Sequence, residues 1–156
     1  MSSGKNHDKA TKLLTLPFGI AVGLIFGTQY GILSALAFLV GGYWLSPDLD
    51  THSNALKRWG LIQILWWPYR KVISHRSIFS HGPIIGTGLR LFYLMGFGLI
   101  MNFLLHPLGL PSPSITLIKV SEYIQQNPKP ICTVLLSLEA SAWLHLIQDG
   151  DPLPTI

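Results

Sequence analysis

The stretch Ala142-Trp143-Leu144-His145-Leu146-Ile147-Gln148-Asp149 sets an imidazole and a carboxylate four residues apart in an apolar run. On a helix, positions i and i+4 lie on one face, with Cβ atoms about 5–6 Å apart. His145 and Asp149 can therefore reach one cation. The spacing alone is weak evidence. It gains weight from three earlier clusters of the same chemistry: His7-Asp8, Pro47-Asp48-Leu49-Asp50, and His75-Arg76-Ser77-Ile78-Phe79-Ser80-His81. The chain has seven acidic residues and six histidines, and seven of these thirteen fall on one ligand list. That list is His7, Asp48, Asp50, His75, His81, His145 and Asp149.

Working outward, the apolar run containing His145 is one of four. They cover about Leu13–Thr28, Tyr30–Leu45, Ile84–Leu105 and Ile131–Ile147. A bilayer crossing takes roughly 20 residues, with a lower limit near 17. The third run is long enough, and Arg90 near its start could snorkel. The others are short, which suits a tightly packed or thinly spanning bundle. None shows the period-two alternation of strands. The expected fold is an all-α, compact bundle of about four long apolar helices plus short amphipathic helices, embedded in a membrane.

Composition agrees. At 156 residues the chain is one domain by length. Hydrophobic residues make up 49% and charged residues 12%, about half the usual charged share. Mean hydropathy is +0.42. A single cysteine, Cys132, excludes an intrachain disulfide and a cysteine-based zinc site. The net charge is +4, but the basic residues are scattered, so there is no nucleic-acid footprint. The N-terminal stretch resembles a signal-peptide n-region. The apolar run after it lacks a small-residue cleavage site, so it reads as a retained cytosolic head.

Local signals fill in the rest. Gly19, Gly23, Gly27 and Gly31 recur every fourth residue and predict a smooth stripe on the first helix, where another backbone can approach. Pro17 is expected in a first helical turn. Trp59, Trp66, Trp67 and Tyr69 beside Lys57, Arg58, Arg70 and Lys71 suit a helix at the headgroup level. An ordinary amphipathic helix of a soluble bundle is the plain alternative. Between His106 and Pro130, prolines at 107, 111, 113, 128 and 130 predict a loop with one short helix over about Ile115–Gln126.

If all four runs cross a membrane, the ligands converge. His7 precedes the first crossing, Asp48 and Asp50 follow the second, His75 and His81 precede the third, and His145 and Asp149 end the fourth. All lie on one face. Lys5, Lys9, Lys12, Lys57, Arg58, Arg70, Lys71 and Arg76 share that face, against Lys119 and Lys129 on the other. The positive-inside rule then places the ligand face in the cytoplasm. A soluble four-helix bundle would gather the same clusters, so the convergence supports the site more than the membrane.

Imidazole nitrogen and carboxylate oxygen suit zinc, manganese or iron. Seven candidates exceed the needs of one ion, and two ions about 3.5–4 Å apart clamp both oxygens in phosphoester hydrolysis. Each cluster has a duller reading. Pro47–Asp50 could be a turn and cap. Ser80 and His81 could cap a helix. His7 lies near a terminus. Asp8 and Thr11 read as helix-start residues and Asp151 as a surface residue. His106 lies on the far face and is excluded. Glu139, inside the fourth run, is a candidate to support the ligands or relay protons, with Arg90 as its partner.

In this order, the Pro-Asp-x-Asp, His-Arg-x4-His and His-x-x-x-Asp signatures resemble a metal-binding protein family common in cyanobacteria. Arg58-Trp59-Gly60, Trp66-Trp67-Pro68-Tyr69 and Ser80-His81-Gly82-Pro83 strengthen that likeness. More distantly the chain is similar to inner-membrane metal-dependent hydrolases, which are thought to share an all-α metal site with zinc-dependent phospholipase C and the single-strand nucleases of P1 type. The resemblance covers about Asn6 to Asp149. It implies two or three zinc ions and hydrolysis of a phosphoester. The ligand list suits one to three divalent ions, most readily zinc, acting on a phosphoester such as that of a lipid head group. Arg76 would stabilise the developing charge. Two departures stand out: the histidines of the middle signature are six apart, and Gly82 replaces a serine. A non-catalytic metal-binding or metal-sensing membrane protein would use the same ligands. A metal-free lipid phosphatase, with His145 as nucleophile and His81 as acid, would need Lys-x6-Arg-Pro and Ser-Gly-His signatures, and the chain has neither.

Overall fold

A computed structural model describes residues 4–150. Its long helices are α1 (Gly4–Phe26), α2 (Thr28–Tyr43), α6 (Ile85–Leu105) and α8 (Pro128–Asp149). Between α2 and α6 lie the short helices α3 (Asn54–Lys57), α4 (Trp67–Val72) and α5 (Ile78–His81), with 3-10 turns at Pro47–Asp50 and Gly60–Trp66. Helix α7 (Pro113–Gln126) joins α6 to α8. No strand occurs among the described residues, so the all-α expectation holds. Four spans are long and apolar enough to cross a membrane: α1, α2 continued to Asp50, α6 continued to Leu108, and α8. Asp151 lies outside the described residues.

α1 packs along α2, and α2 along α8. Glycine sets the first contact, differently from the stripe expected on one helix. Gly27 breaks the chain with φ 102°, which turns α1 into α2 across one residue. Gly31 therefore lies on α2 and faces back onto α1. A Cβ at Gly31 would sit 2.7 Å from the carbonyl oxygen of Gly19 and 2.7 Å from the Cα of Gly23. The two backbones touch where side chains would hold them apart.

Three other expectations are corrected. Helix α1 begins at Gly4, so Pro17 lies deep inside it and Asp8 in its second turn. The aromatic segment is a series of short turns rather than one interfacial helix. Trp66 and Tyr69 do not face lipid headgroups: with Leu49, Ala55 and Leu56 they form a buried cluster, against which Trp59 and Tyr93 pack. Burying Leu49 and Leu56 stabilises this cap by roughly 1.5–3 kcal/mol each. Burial also raises the Tyr69 phenol above its ordinary value, so it serves there as a neutral ring. Finally, Arg90 does not snorkel. It is 1% exposed and donates to the Ser80 carbonyl at 2.8 Å and to Thr87 Oγ1 at 3.1 Å, which ties α6 to α5.

Candidate metal centre

The site is built on the end of α8 and on what folds over it. His145 and Asp149 share a face, with Nε2 and Oδ2 3.6 Å apart. Beside them comes the first turn of α1. His7 stacks on His145 with ring centroids 3.8 Å apart, and its Nε2 lies 3.1 Å from Asp149 Oδ1. His7 is buried, so its place near the terminus does not leave it loose.

The Pro47–Asp50 turn supplies the carboxylates. Leu49 is wholly buried in the aromatic cluster beneath. That anchor sends Asp48 and Asp50 to the polar side. Ser46 caps the turn by accepting from the Asp48 amide at 3.4 Å. Asp48 Oδ1 then lies 3.4 Å from His145 Nε2 and 3.7 Å from His81 Nε2. Asp50 lies deeper, with Oδ1 3.0 Å from His75 Nδ1 and Oδ2 3.5 Å from His81 Nδ1. Its side chain is fully buried, whereas that of Asp48 is 22% exposed.

His81 closes α5, and His75 precedes it. Between them Arg76 takes φ 61°, a left-handed conformation uncommon for a non-glycine residue. Its guanidinium lies 3.6 Å from Asp149 Oδ2. An open polar cleft of about 310 Å³ gives access to the cluster, lined by His7, Asp48, His75, Arg76 and Asp149. His52 lies on this cleft too. Sequence reasoning passed over it, although its position two residues after Asp50 was a usable signal.

All seven expected ligand residues thus meet at one end of the bundle. They form three overlapping sets that could hold a metal ion: His7, His145 and Asp149; Asp48, His81 and His145; Asp50, His75 and His81. The donor atoms suit a cation. His81 Nε2 and His145 Nε2 are buried without a hydrogen-bond partner, an expensive state for polar atoms. Two ligands about 2.0–2.1 Å from a tetrahedral ion stand about 3.3–3.4 Å apart. The 3.4–3.7 Å separations of Asp48 Oδ1 and Asp149 Oδ2 from the imidazole nitrogens match that better than they match hydrogen bonds, whereas Asp149 Oδ1 is within hydrogen-bond distance of His7.

Other candidates have other bonds. Asp8 pairs with Arg58, which also donates to the Tyr43 carbonyl and so ties α1 to the end of α2. Glu139 Oε1 accepts from the Ile84 amide at 2.8 Å and so caps the start of α6. Arg90 feels its charge at longer range. His106, at the other end of α6, bonds the Leu110 carbonyl at 2.7 Å.

Residues 2–153 match a family described as "Uncharacterized metal-binding protein (DUF2227)". The chain belongs to that family. Metal binding is thus the family's described property, and the His/Asp cluster is where this member could provide it. A protein of Aquifex aeolicus (strain VF5), named "Uncharacterized protein", is 42% identical over 67 residues. The match covers 42% of this chain and 47% of that protein, so the chain spans about half the length of the curated relative. No solved structure matches.

Proposed function

We propose that this family member is a multi-pass membrane protein that holds two divalent ions, zinc first and manganese or iron second, and hydrolyses a phosphoester. One observation carries the reading: unpartnered Nε2 atoms of His81 and His145 flank the Asp48 carboxylate at the mouth of an open cleft, beside Arg76. An imidazole nitrogen has one lone pair. His145 Nε2 approaches both Asp48 and Asp149 and can serve only one ion, so the overlapping sets would not all be filled at once, and two ions suit them. Ions held there would supply water activation near neutral pH and charge stabilisation at a phosphoryl group. The chain's own residues shape the rest. Arg76 offers a cation to an anionic substrate in the cleft, His52 and His75 line the approach, and the Leu49 anchor keeps Asp48 in place.

The membrane part of the proposal rests on four apolar helices and on the basic residues, eight on the site's side against Lys119 and Lys129 on the other. That bias favours a cytoplasmic site and a lipid bilayer as the protein's partner. A phosphoester at the bilayer surface, such as a lipid head group, is then within reach.

The test is hydrolysis of a soluble phosphodiester and of phospholipid vesicles by detergent-purified protein of known metal content. Chelator-sensitive turnover, lost in His145→Ala and lowered roughly 100- to 1000-fold in Arg76→Ala, is expected for a charge-stabilising arginine. Full metal content with no turnover on either substrate would leave a metal-holding protein without catalysis.

A further inference from the structure

The four histidines share a pattern that the ligand list does not contain. Each turns Nδ1 toward a side-chain oxygen. His7 Nδ1 faces Gln148 Oε1 at 2.8 Å, His81 Nδ1 faces Ser80 Oγ at 2.9 Å, and His75 Nδ1 faces Asp50 Oδ1 at 3.0 Å. His145 Nδ1 faces Ser46 Oγ at 3.5 Å, the loosest of the four. An ionised carboxylate and an amide oxygen only accept, so His75 donates from Nδ1 to Asp50 and His7 from Nδ1 to Gln148. His7 Nε2 in turn faces Asp149 Oδ1 at 3.1 Å, the oxygen with which it would share an ion. The carbonyls of Ser74 and Ser77, 3.2 Å from Ser80 Oγ, can take its single proton and leave it to accept from His81.

A neutral imidazole has one N–H, so a ring protonated at Nδ1 presents a lone pair at Nε2. In His81 and His145 the Nε2 atoms are buried and without a hydrogen-bond partner. The ring of His81 makes the division plain. Asp48 lies 3.7 Å from its Nε2 edge, and Asp50 lies 3.5 Å from its Nδ1 edge. One neutral ring cannot offer lone pairs at both edges. The two carboxylates of the Asp-x-Asp turn therefore take different parts.

We infer that Asp50 is a positioning residue rather than a metal ligand. With Gln148, Ser80 and Ser46 it forms a set of oxygens that fixes the Nδ1–H tautomer of the site histidines, so that each ligates through Nε2. The inference rests on the metal-binding reading above. It fits the full burial of Asp50, whose Oδ2 faces the His81 ring at 3.5 Å, against the partly exposed Asp48 at the cleft. Groups that orient ligating histidines typically change metal affinity 10- to 100-fold when removed, without removing the ion's own ligands.

The deciding experiment is long-range 1H–15N correlation spectroscopy of wild-type protein labelled at the histidine imidazoles, in detergent micelles, with and without zinc. His7, His75, His81 and His145 are expected to keep a proton on Nδ1 and to bind zinc through Nε2, with His106 unchanged. Zinc bound through Nδ1 of His75 or His81 would overturn the inference and return Asp50 to the ligand set. No zinc-induced change in any ring would instead overturn the metal-binding reading itself. Titration of variants adds a second readout. Asp50→Asn and Ser80→Ala should keep the zinc stoichiometry and lose roughly 10- to 100-fold in affinity, with Ser80→Thr recovering most of the loss. Asp48→Asn should lose an ion. A lost ion in Asp50→Asn would count against the inference.

Discussion

At one end of the long helices, His145 stacks on His7 and lies 3.4 Å from Asp48, over a buried floor of Leu49, Trp66 and Tyr69. At the other end, His106 is exposed and bonds the carbonyl of Leu110, in a connection rich in proline. Residue type does not separate the two histidines. Neighbours do. The first end receives chain from both directions of travel: the start of α1, the end of α2, the start of α6 and the end of α8. It also has a hydrophobic cluster of its own that holds the carboxylate turn in place. The second end has helix ends but no such anchor among the described residues.

The largest effect should come from that anchor. Trp66→Ala removes a fully buried indole, which typically costs about 3–5 kcal/mol. Chemical unfolding should show that loss, and metal affinity should fall with it, because Leu49 loses its packing and releases the carboxylates. Retained metal affinity would show that the turn holds itself.

A smaller effect should separate the tightly packed helices from α6. Gly31→Ala would press a methyl group against the α1 backbone, 2.7 Å from Gly19 O and Gly23 Cα. Overpacking of this kind costs about 1–3 kcal/mol. Gly96→Ala on α6 meets nothing within 4 Å, and should be neutral or raise stability by up to about 1 kcal/mol through helix propensity. Thermal melts of the two variants in the same detergent would compare them. Equal melting temperatures would mean that α1 and α2 do not touch as described.

The smallest effect belongs to the far end. His106→Ala should change stability by no more than about 0.5 kcal/mol, as for an exposed side chain away from any packed feature.

Much of this contrast is legible in the sequence. Four apolar runs gave four long helices, since a run of that length without alternation has few other ways to satisfy its backbone. Helix alternation then brought His7, Asp48, Asp50, His75, His81, His145 and Asp149 to one end. The short helix before α8 was visible because prolines and polar residues bound it. Other features were hidden for physical reasons. The glycine spacing showed close packing but not that Gly27 breaks the helix, because the same spacing suits one helix or two facing ones. Trp66 and Tyr69 read as interfacial because their basic neighbours suggested lipid headgroups, and a core made only by short turns leaves no periodicity to detect. Ser46, Ser80 and Gln148 had no signal of their own, since a serine or glutamine that orients a ring differs from a surface one only in three dimensions. Arg90 looked like a snorkelling cation because its acceptor is a backbone carbonyl, and every residue has one.

Stability separates a cation site at the polar end from a set of caps and turns. Clustered carboxylates repel by roughly 4 kcal/mol per close pair at an effective dielectric of 20, and bound metal offsets this, so loss of metal should be felt as loss of stability. Metal content by elemental analysis, with thermal melting in the presence and absence of chelator, measures both on the same samples. Bound metal is expected in the wild-type protein and in His106→Ala, with a lower melting temperature in chelator and depleted metal in Asp48→Ala and His145→Ala. Unchanged metal content in both site variants, or loss of metal in His106→Ala, would contradict a cation site there.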